Sequence, residues 1–295
     1  MMTSGTEPDR TSEAGSTAGI DATSGHERNS ATRSTELLLI ESRAGVRTLT
    51  LNRPAAFNSF DLALKESFLA ALEDAAADDS VRAVVLSGAG RAFSAGQDLK
   101  QHLELVRTND PRIATTVADF FNPAVLLIAE MPKPVIAAVN GAAAGAGAAF
   151  AYACDLRVAG ASASFSMAFA GVGLSADSGA SFTLPRLVGA GRAARMMLLG
   201  QRVDAEEALR IGMVDEVVPD EDLKRRVAEL AGVLAAGPTK AFGWIKASLK
   251  AAATSDLAAA LEFEGRAQAD LFARSDHHEA IAAFVEKRPP RFTGA

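Results

Sequence analysis

Lys133-Pro134-Val135-Ile136-Ala137-Ala138-Val139-Asn140-Gly141-Ala142-Ala143-Ala144-Gly145-Ala146-Gly147 is the stretch whose reading decides the fold. Pro134 to Val139 is a short apolar run of the length expected for a buried strand. Asn140-Gly141 then punctuates it as a turn, and the Ala/Gly run continuing to Cys154 reads as a closely packed helix. Pro134 to Cys154 is also long enough to cross a bilayer, with Gly141 and Gly145 at the spacing of a transmembrane packing motif. Ala and Gly drive insertion weakly, and Pro134 and Asn140 interrupt the run, so strand, turn and helix is the reading adopted.

Working outward, Leu37–Glu41 and Val46–Leu51 are β-rich runs joined by Ser42–Gly45, a predicted hairpin. Asp61 to Asp78 carries Leu62, Phe68, Leu69, Leu72 and Ala75 near one face and predicts a helix. Arg82–Ser87 reads as another buried strand ending in the turn Gly88-Ala89-Gly90, and Leu156–Ala159 and Ala163–Met167 as two more strands. From Gly191 onward the pattern is helix after helix, broken at Gly212, Pro219 and Gly237-Pro238. Alternating strands and helices favour a mixed α/β core over residues 35–220. Residues 221–295 form a helical region, expected to pack on that core or on a neighbouring subunit. No repeat of fixed sequence period is present.

Met1–Ser34 is Ser, Thr, Gly, Glu and Ala with almost no large apolar side chain. It is read as a disordered tail, because it buries too little surface to offset ordering. It lacks the basic start and apolar stretch of a secretory signal. The net charge of −6 argues against a nucleic-acid partner. Cys154, the single cysteine, excludes intrachain disulfides and fits a reducing cytoplasm.

Two segments place small residues where a strand leads into a helix: Gly90-Arg91-Ala92-Phe93-Ser94-Ala95-Gly96-Gln97-Asp98-Leu99 and Asn140 to Gly147. Unpaired N–H groups open a helix, and small residues let a ligand reach them. Facing each other, the two segments would bind an oxyanion. The alternative is two tight turns with close helix packing. Neither segment is a phosphate loop or a dinucleotide fingerprint. Asp177, in Gly173-Leu174-Ser175-Ala176-Asp177-Ser178-Gly179, is either a catalytic carboxylate or a helix N-cap. No Ser-His-Asp set and no two-histidine metal spacing stands out, and no metal site is expected.

Leu51-Asn52-Arg53-Pro54, Ala92 to Lys100, Lys133 to Gly141 and Gly212-Met213-Val214-Asp215, in this order and spacing, resemble the crotonase superfamily of enoyl-CoA hydratases and isomerases. The resemblance runs from about Leu37 to the C-terminus. It implies an α/β fold, a crotonase-like spiral of ββα units with a C-terminal helical trimerisation region, in homotrimers often paired into hexamers. It implies an acyl-CoA thioester as substrate and no cofactor, since coenzyme A is part of the substrate. The backbone N–H groups of Gln97 and Ala146 are the implied oxyanion donors; Ala146 departs from the family's usual Gly.

The two glutamates of the family's hydratases map onto Ala149 and Phe169, neither of which transfers a proton. Phe169, with Met167, is instead expected to line a dry acyl or aryl pocket, and such a wall raises the pKa of a nearby carboxyl group. Asp177 falls where other branches carry their acting carboxylate. Phe165 to Asp177, Gly145 to Ala148 and the ending Lys287-Arg288 to Gly294 look closest to the ring-epoxide phenylacetyl-CoA isomerases, which also isomerise 3-enoyl-CoA to 2-enoyl-CoA. The resemblance also implies CoA or substrate contacts at Phe57, Ser94, Gly96, Lys100, Phe284 and Lys287, the last two commonly offered by an adjacent subunit. A solvated helix end is the other reading of Lys287.

Overall fold

The computed structural model describes residues 37–295 together with the backbone strand Ala31–Thr35. The expected tail, 1–34, lies outside the described residues apart from Ala31 to Ser34, which belong to that strand.

The described residues open with β1 (Ala31–Thr35), β2 (Leu38–Arg43) and β3 (Val46–Leu51), paired antiparallel. Ala44 and Gly45, both at positive φ, make the hairpin turn between β2 and β3. Then α1 (Leu62–Ala77) starts on its N-cap Asp61, whose side chain accepts the Leu64 N–H, and it buries Leu64, Phe68, Ala71, Leu72 and Ala75.

Three ββα turns of a spiral follow. The first runs β4 (Ala83–Gly88), β5 (Ala92–Ser94), α2 (Leu99–Arg107), α3 (Arg112–Thr116), a π-helical turn at Val117–Phe121 and α4 (Asn122–Glu130). The second is β6 (Val135–Val139), β7 (Ala142–Ala144) and α5 (Ala146–Ala153). The third is β8 (Leu156–Gly160), β9 (Ser164–Ser166), α6 (Ala180–Val188) and α7 (Ala190–Leu199). After β10 (Val203–Asp204), α8 (Ala205–Arg210) and β11 (Glu216–Val218) come α9 (Leu223–Ala236), α10 (Thr239–Ala252), α11 (Leu257–Phe272) and α12 (Ser275–Glu286).

The first strand of each turn joins a seven-stranded sheet ordered β1-β2-β3-β4-β6-β8-β11, and the second joins a four-stranded sheet ordered β10-β9-β7-β5. Within each sheet the strands of successive turns pair in parallel. At β4 and β6 the large sheet is buried on both faces, which is why these strands read as unbroken apolar runs rather than alternating ones. Val84, Leu86, Val135, Ala137 and Val139 face the main core. Val85, Ile136, Ala138 and Val158 face α9 through Leu223, Val227 and Ala231. The expected helical region 221–295 therefore begins with a helix that covers the core sheet.

Pro134 to Cys154 runs through the interior between the two core clusters, and it holds one element more than expected, since β7 separates the Asn140-Gly141 turn from α5. Each of the eight residues of α5 is buried. Only Ala and Gly let it come so close to its neighbours: a Cβ on Gly147 would sit 2.6 Å from the Ser94 Cβ. Phe150, near the end of α5, meets Phe60, Phe68 and Phe121 with ring centroids 5.2–5.8 Å apart in tilted or edge-on pairs. Each such pair adds about 0.5–1.5 kcal/mol beyond area burial.

Candidate active site

The loop from Ser94 to Asp98 is held by a polar knot built from the segment after β3. Asn58, fully buried at φ 55°, donates its side-chain amide to the carbonyls of Ala89 and Ala92 and accepts the Arg53 N–H. Its own carbonyl accepts the Ser94 hydroxyl at 2.8 Å, and the Ser94 Oγ in turn accepts the Gly96 N–H. Ser94 is fully buried, so its side chain shapes the loop from within. The Arg53 guanidinium bridges Asp61 at 3.0 Å and Asp98 at 2.9 Å. Asp98 also caps α2 through the N–H groups of Lys100 and Gln101. Burial pushes its pKa up, but these bonds and the arginine charge outweigh that and lower it.

Gln97 pairs with Phe60 as an isolated parallel bridge: the Phe60 N–H donates to Gly96 and the Phe60 carbonyl accepts the Asp98 N–H. The Gln97 N–H is turned away from that ladder, and no described hydrogen bond uses it. The Ala146 N–H is likewise unused, as expected for the first residue of a helix. The two segments touch, because a Cβ on Gly96 would lie 3.0 Å from the Ala146 nitrogen and 2.8 Å from the Ala144 oxygen. Gly96, at φ 81°, thus leaves open the space in front of the Ala146 N–H. Two unpaired backbone donors at adjoining strand ends, one of them on a helix N-terminus, have the chemistry of an anion-binding hole.

Beside this hole, the Phe169 ring edge lies 3.9 Å from where a Cβ on Gly145 would be. Phe169 and Met167 are buried, and Ala149 is closed off inside α5. From Phe169 the exposed turn Ala170–Ser175 leads to Asp177. Asp177 is half-buried and accepts the Ser178 hydroxyl at 2.8 Å. Burial raises its pKa above the ordinary aspartate value; the Ser178 bond and the charge of Lys65 oppose that rise. The alternative of helix capping is not realised, since Gly179 is the N-cap of α6 and no helix N–H reaches the Asp177 carboxylate. Ser178 and Gly179 are both left-handed, at φ 51° and 72°, and this turn sets where the carboxylate stands.

Phe57 is on the same knot: its carbonyl accepts the Ala95 N–H, and the Arg91 guanidinium stacks 4.3 Å from its ring centroid. Lys100 is exposed on the first turn of α2. Phe284 and Lys287 are apart from this cluster, on α12, which packs on α11; Phe284 is 82% exposed and Lys287 is the left-handed C-cap.

Sequence reasoning assigned no task to Arg53, Asn58 or Lys65. The Asn-Ser-Phe run after Arg53-Pro54 carried a signal for Asn58, a residue type that tolerates left-handed backbone. Lys65 carried none, looking like any helix-surface lysine. The side-chain amide of Gln97 was also given no task, yet both its polar atoms are buried without a partner. Leaving a buried polar group so costs about 1–3 kcal/mol.

A family profile described as Enoyl-CoA hydratase/isomerase matches residues 41–295. The chain is 42% identical over 259 residues to the 1,2-epoxyphenylacetyl-CoA isomerase of Escherichia coli (strain K12), covering 88% of this chain and 99% of that protein. It is 33% identical over 250 residues to the trans-2-decenoyl-acyl-carrier-protein isomerase of Streptococcus mutans, covering 85% and 95%. The crystal structure of an enoyl-CoA hydratase from Bacillus anthracis superposes with a TM-score of 0.83 at 32% identity, covering 88% of this chain and all of that one.

Proposed function

The chain belongs to the enoyl-CoA hydratase/isomerase family and has its crotonase fold, and from that premise we propose that it is an acyl-CoA isomerase with Asp177 as its single proton carrier. The observation that carries this reading is the half-buried, uncapped Asp177 carboxylate on the segment that follows Phe169, in a chain where Ala149 and Phe169 offer no acid.

The thioester carbonyl oxygen accepts the N–H groups of Gln97 and Ala146. Asp177 removes a proton from C2, and the electron pair moves onto the carbonyl oxygen as an enolate. The two donors stabilise that charge, and the loss of one such donor typically costs about 2.7–4 kcal/mol of barrier. Asp177 then returns the proton further along the conjugated system, at C4 of a 3-enoyl-CoA, giving the 2-enoyl-CoA. On a ring-epoxide phenylacetyl-CoA the same transfer accompanies opening to the seven-membered oxepin. A raised pKa suits both steps, because the carboxylate is a stronger base and is left protonated in the intermediate.

In this reading Phe57, Ser94 and Gly96 shape the thioester end, Lys100 lies toward the pantetheine and phosphates, and Phe169 walls the acyl group. Phe284 and Lys287 serve the CoA of a neighbouring copy in a homotrimer or hexamer. Coenzyme A arrives and leaves with the substrate, no cofactor is resident, and the enzyme works in the cytoplasm.

The test is a panel of CoA esters, straight-chain 3-enoyl against ring-epoxide phenylacetyl, with wild type and Asp177→Asn. The variant should bind thioesters normally but neither isomerise them nor exchange C2 protons with heavy water. Full isomerase activity in Asp177→Asn refutes the assignment, as does hydration of 2-enoyl-CoA outrunning isomerisation in the wild type.

A further inference from the structure

Lys65 on α1 is 2% exposed. Its ammonium donates to the Thr116 hydroxyl at 2.9 Å and lies 5.2 Å from the centroid of the Phe121 ring. Neither partner is an anion, and a buried ammonium without a carboxylate in contact is costly to keep.

Three carboxylates act on it electrostatically: Asp61, Asp98 and Asp177. Asp61, one turn earlier on α1, caps the helix and is paired with Arg53. Asp98 caps α2 and is paired with the same arginine. From α3, Arg112 faces the small cavity beside Lys65, but Asp110 holds it through two hydrogen bonds to its side chain. Asp177 has only the Ser178 hydroxyl. It is the carboxylate of the three whose charge no cation touches.

The helical run through Val117–Phe121 and α4 connects the two groups. Lys65 sits over Phe121, and a Cβ on Gly179 would lie 3.1 Å from Val125 Cγ1. Phe121 and Val125 are four residues apart, about 6 Å along one helix face. The ammonium and the Asp177 turn therefore pack on adjacent turns of the same helix.

We propose that Lys65 is the counter-cation of Asp177, a positioning residue that keeps the carboxylate ionised without touching substrate. The proposal rests on the proton-carrier reading for its catalytic consequence, though not for its electrostatic one. Burial brings the Lys65 pKa down to about 8, so it carries its charge at neutral pH.

The experiment is a carboxyl NMR titration of carbon-13 aspartate-labelled protein, with Asp177→Asn assigning the signal, beside the pH profile of kcat/KM. In Lys65→Met the Asp177 midpoint should move to higher pH by about one unit, and the acid limb of activity should follow it. Lys65→Arg, which keeps the charge, should restore both. Lys65→Gln, which keeps a donor toward Thr116, serves if the Met variant fails to fold. An unchanged Asp177 midpoint in folded Lys65→Met or Lys65→Gln overturns the proposal, and so does Lys65→Arg behaving like Lys65→Met. The titration needs no turnover, so an active Asp177→Asn refutes the reaction proposed above while the midpoints still decide this inference.

Discussion

Replacing Gly96 by Ala tests the oxyanion hole at its narrowest point. The new methyl carbon would stand 3.0 Å from the Ala146 nitrogen and 2.8 Å from the Ala144 oxygen, closer than ordinary contact. That carbon would be as near the Ala146 nitrogen as a hydrogen-bonded oxygen is. Gly96 also has φ 81°, where a side chain costs about 1–2 kcal/mol. Gly45 is the control. It has the same φ of 81°, but its added methyl meets only Arg82 and Ala235 side chains at 3.5–3.6 Å, in the turn between β2 and β3. Both variants carry the backbone strain, and only Gly96→Ala blocks a donor. Losing one donor should cost about 2.7–4 kcal/mol of barrier, a fall in kcat of about 10²–10³. Gly45→Ala should keep kcat and lose only thermal stability. The assay is the absorbance of the conjugated 2-enoyl thioester formed from 3-enoyl-CoA, with thermal melts of both variants. If Gly96→Ala is folded at the assay temperature and its kcat stays within about threefold of wild type, the Ala146 N–H is not an oxyanion donor.

Three further outcomes follow from the same contacts. Asn58→Ala removes three side-chain hydrogen bonds and puts Ala at φ 55°, so denaturant melts should show a loss of roughly 3–5 kcal/mol; a loss below about 1 kcal/mol contradicts the knot. Asp177→Asn should be as stable as wild type at pH 3 and more stable at pH 7, by thermal melts. The folded-state pKa lies above the unfolded one, so the buried charge destabilises the protein progressively as pH rises through that window, and Asn removes the effect. The Cys154 thiol is buried, with its pKa pushed up to about 12, and should resist iodoacetamide at pH 8 until denaturant is added; rapid labelling of native protein would contradict that burial.

The elements that local pattern specifies were legible in the chain. Val135–Val139 is apolar throughout because it is covered on both faces, and the Asp61 cap with its spaced apolar residues marks α1. The glycines at 96 and 147 announce close backbone approach, and the motifs around them carry the family likeness. Strands of three residues were harder: β7 was missed, and the expected Ala163–Met167 contracts to β9, since so short a run has no period to read. Residues 99–130 fold into α2, α3 and α4; α2 carries Leu99, Leu103 and Val106 at helical spacing but leaves them exposed, so its apolar stripe does not mark a core helix.

What the sequence by itself determined is the ββα architecture and the kind of backbone that lines the site. Both depend on neighbours in the chain, on Cβ atoms being absent, and on apolar spacing. Only the tertiary structure decided what Asp177 does not do, because capping is a matter of where a carboxylate points. Only it brought the Arg53 guanidinium onto Asp98 and placed Lys65 within electrostatic reach of Asp98 and Asp177. Electrostatic energies depend on distance and burial, and neither is written in the order of residues along a chain.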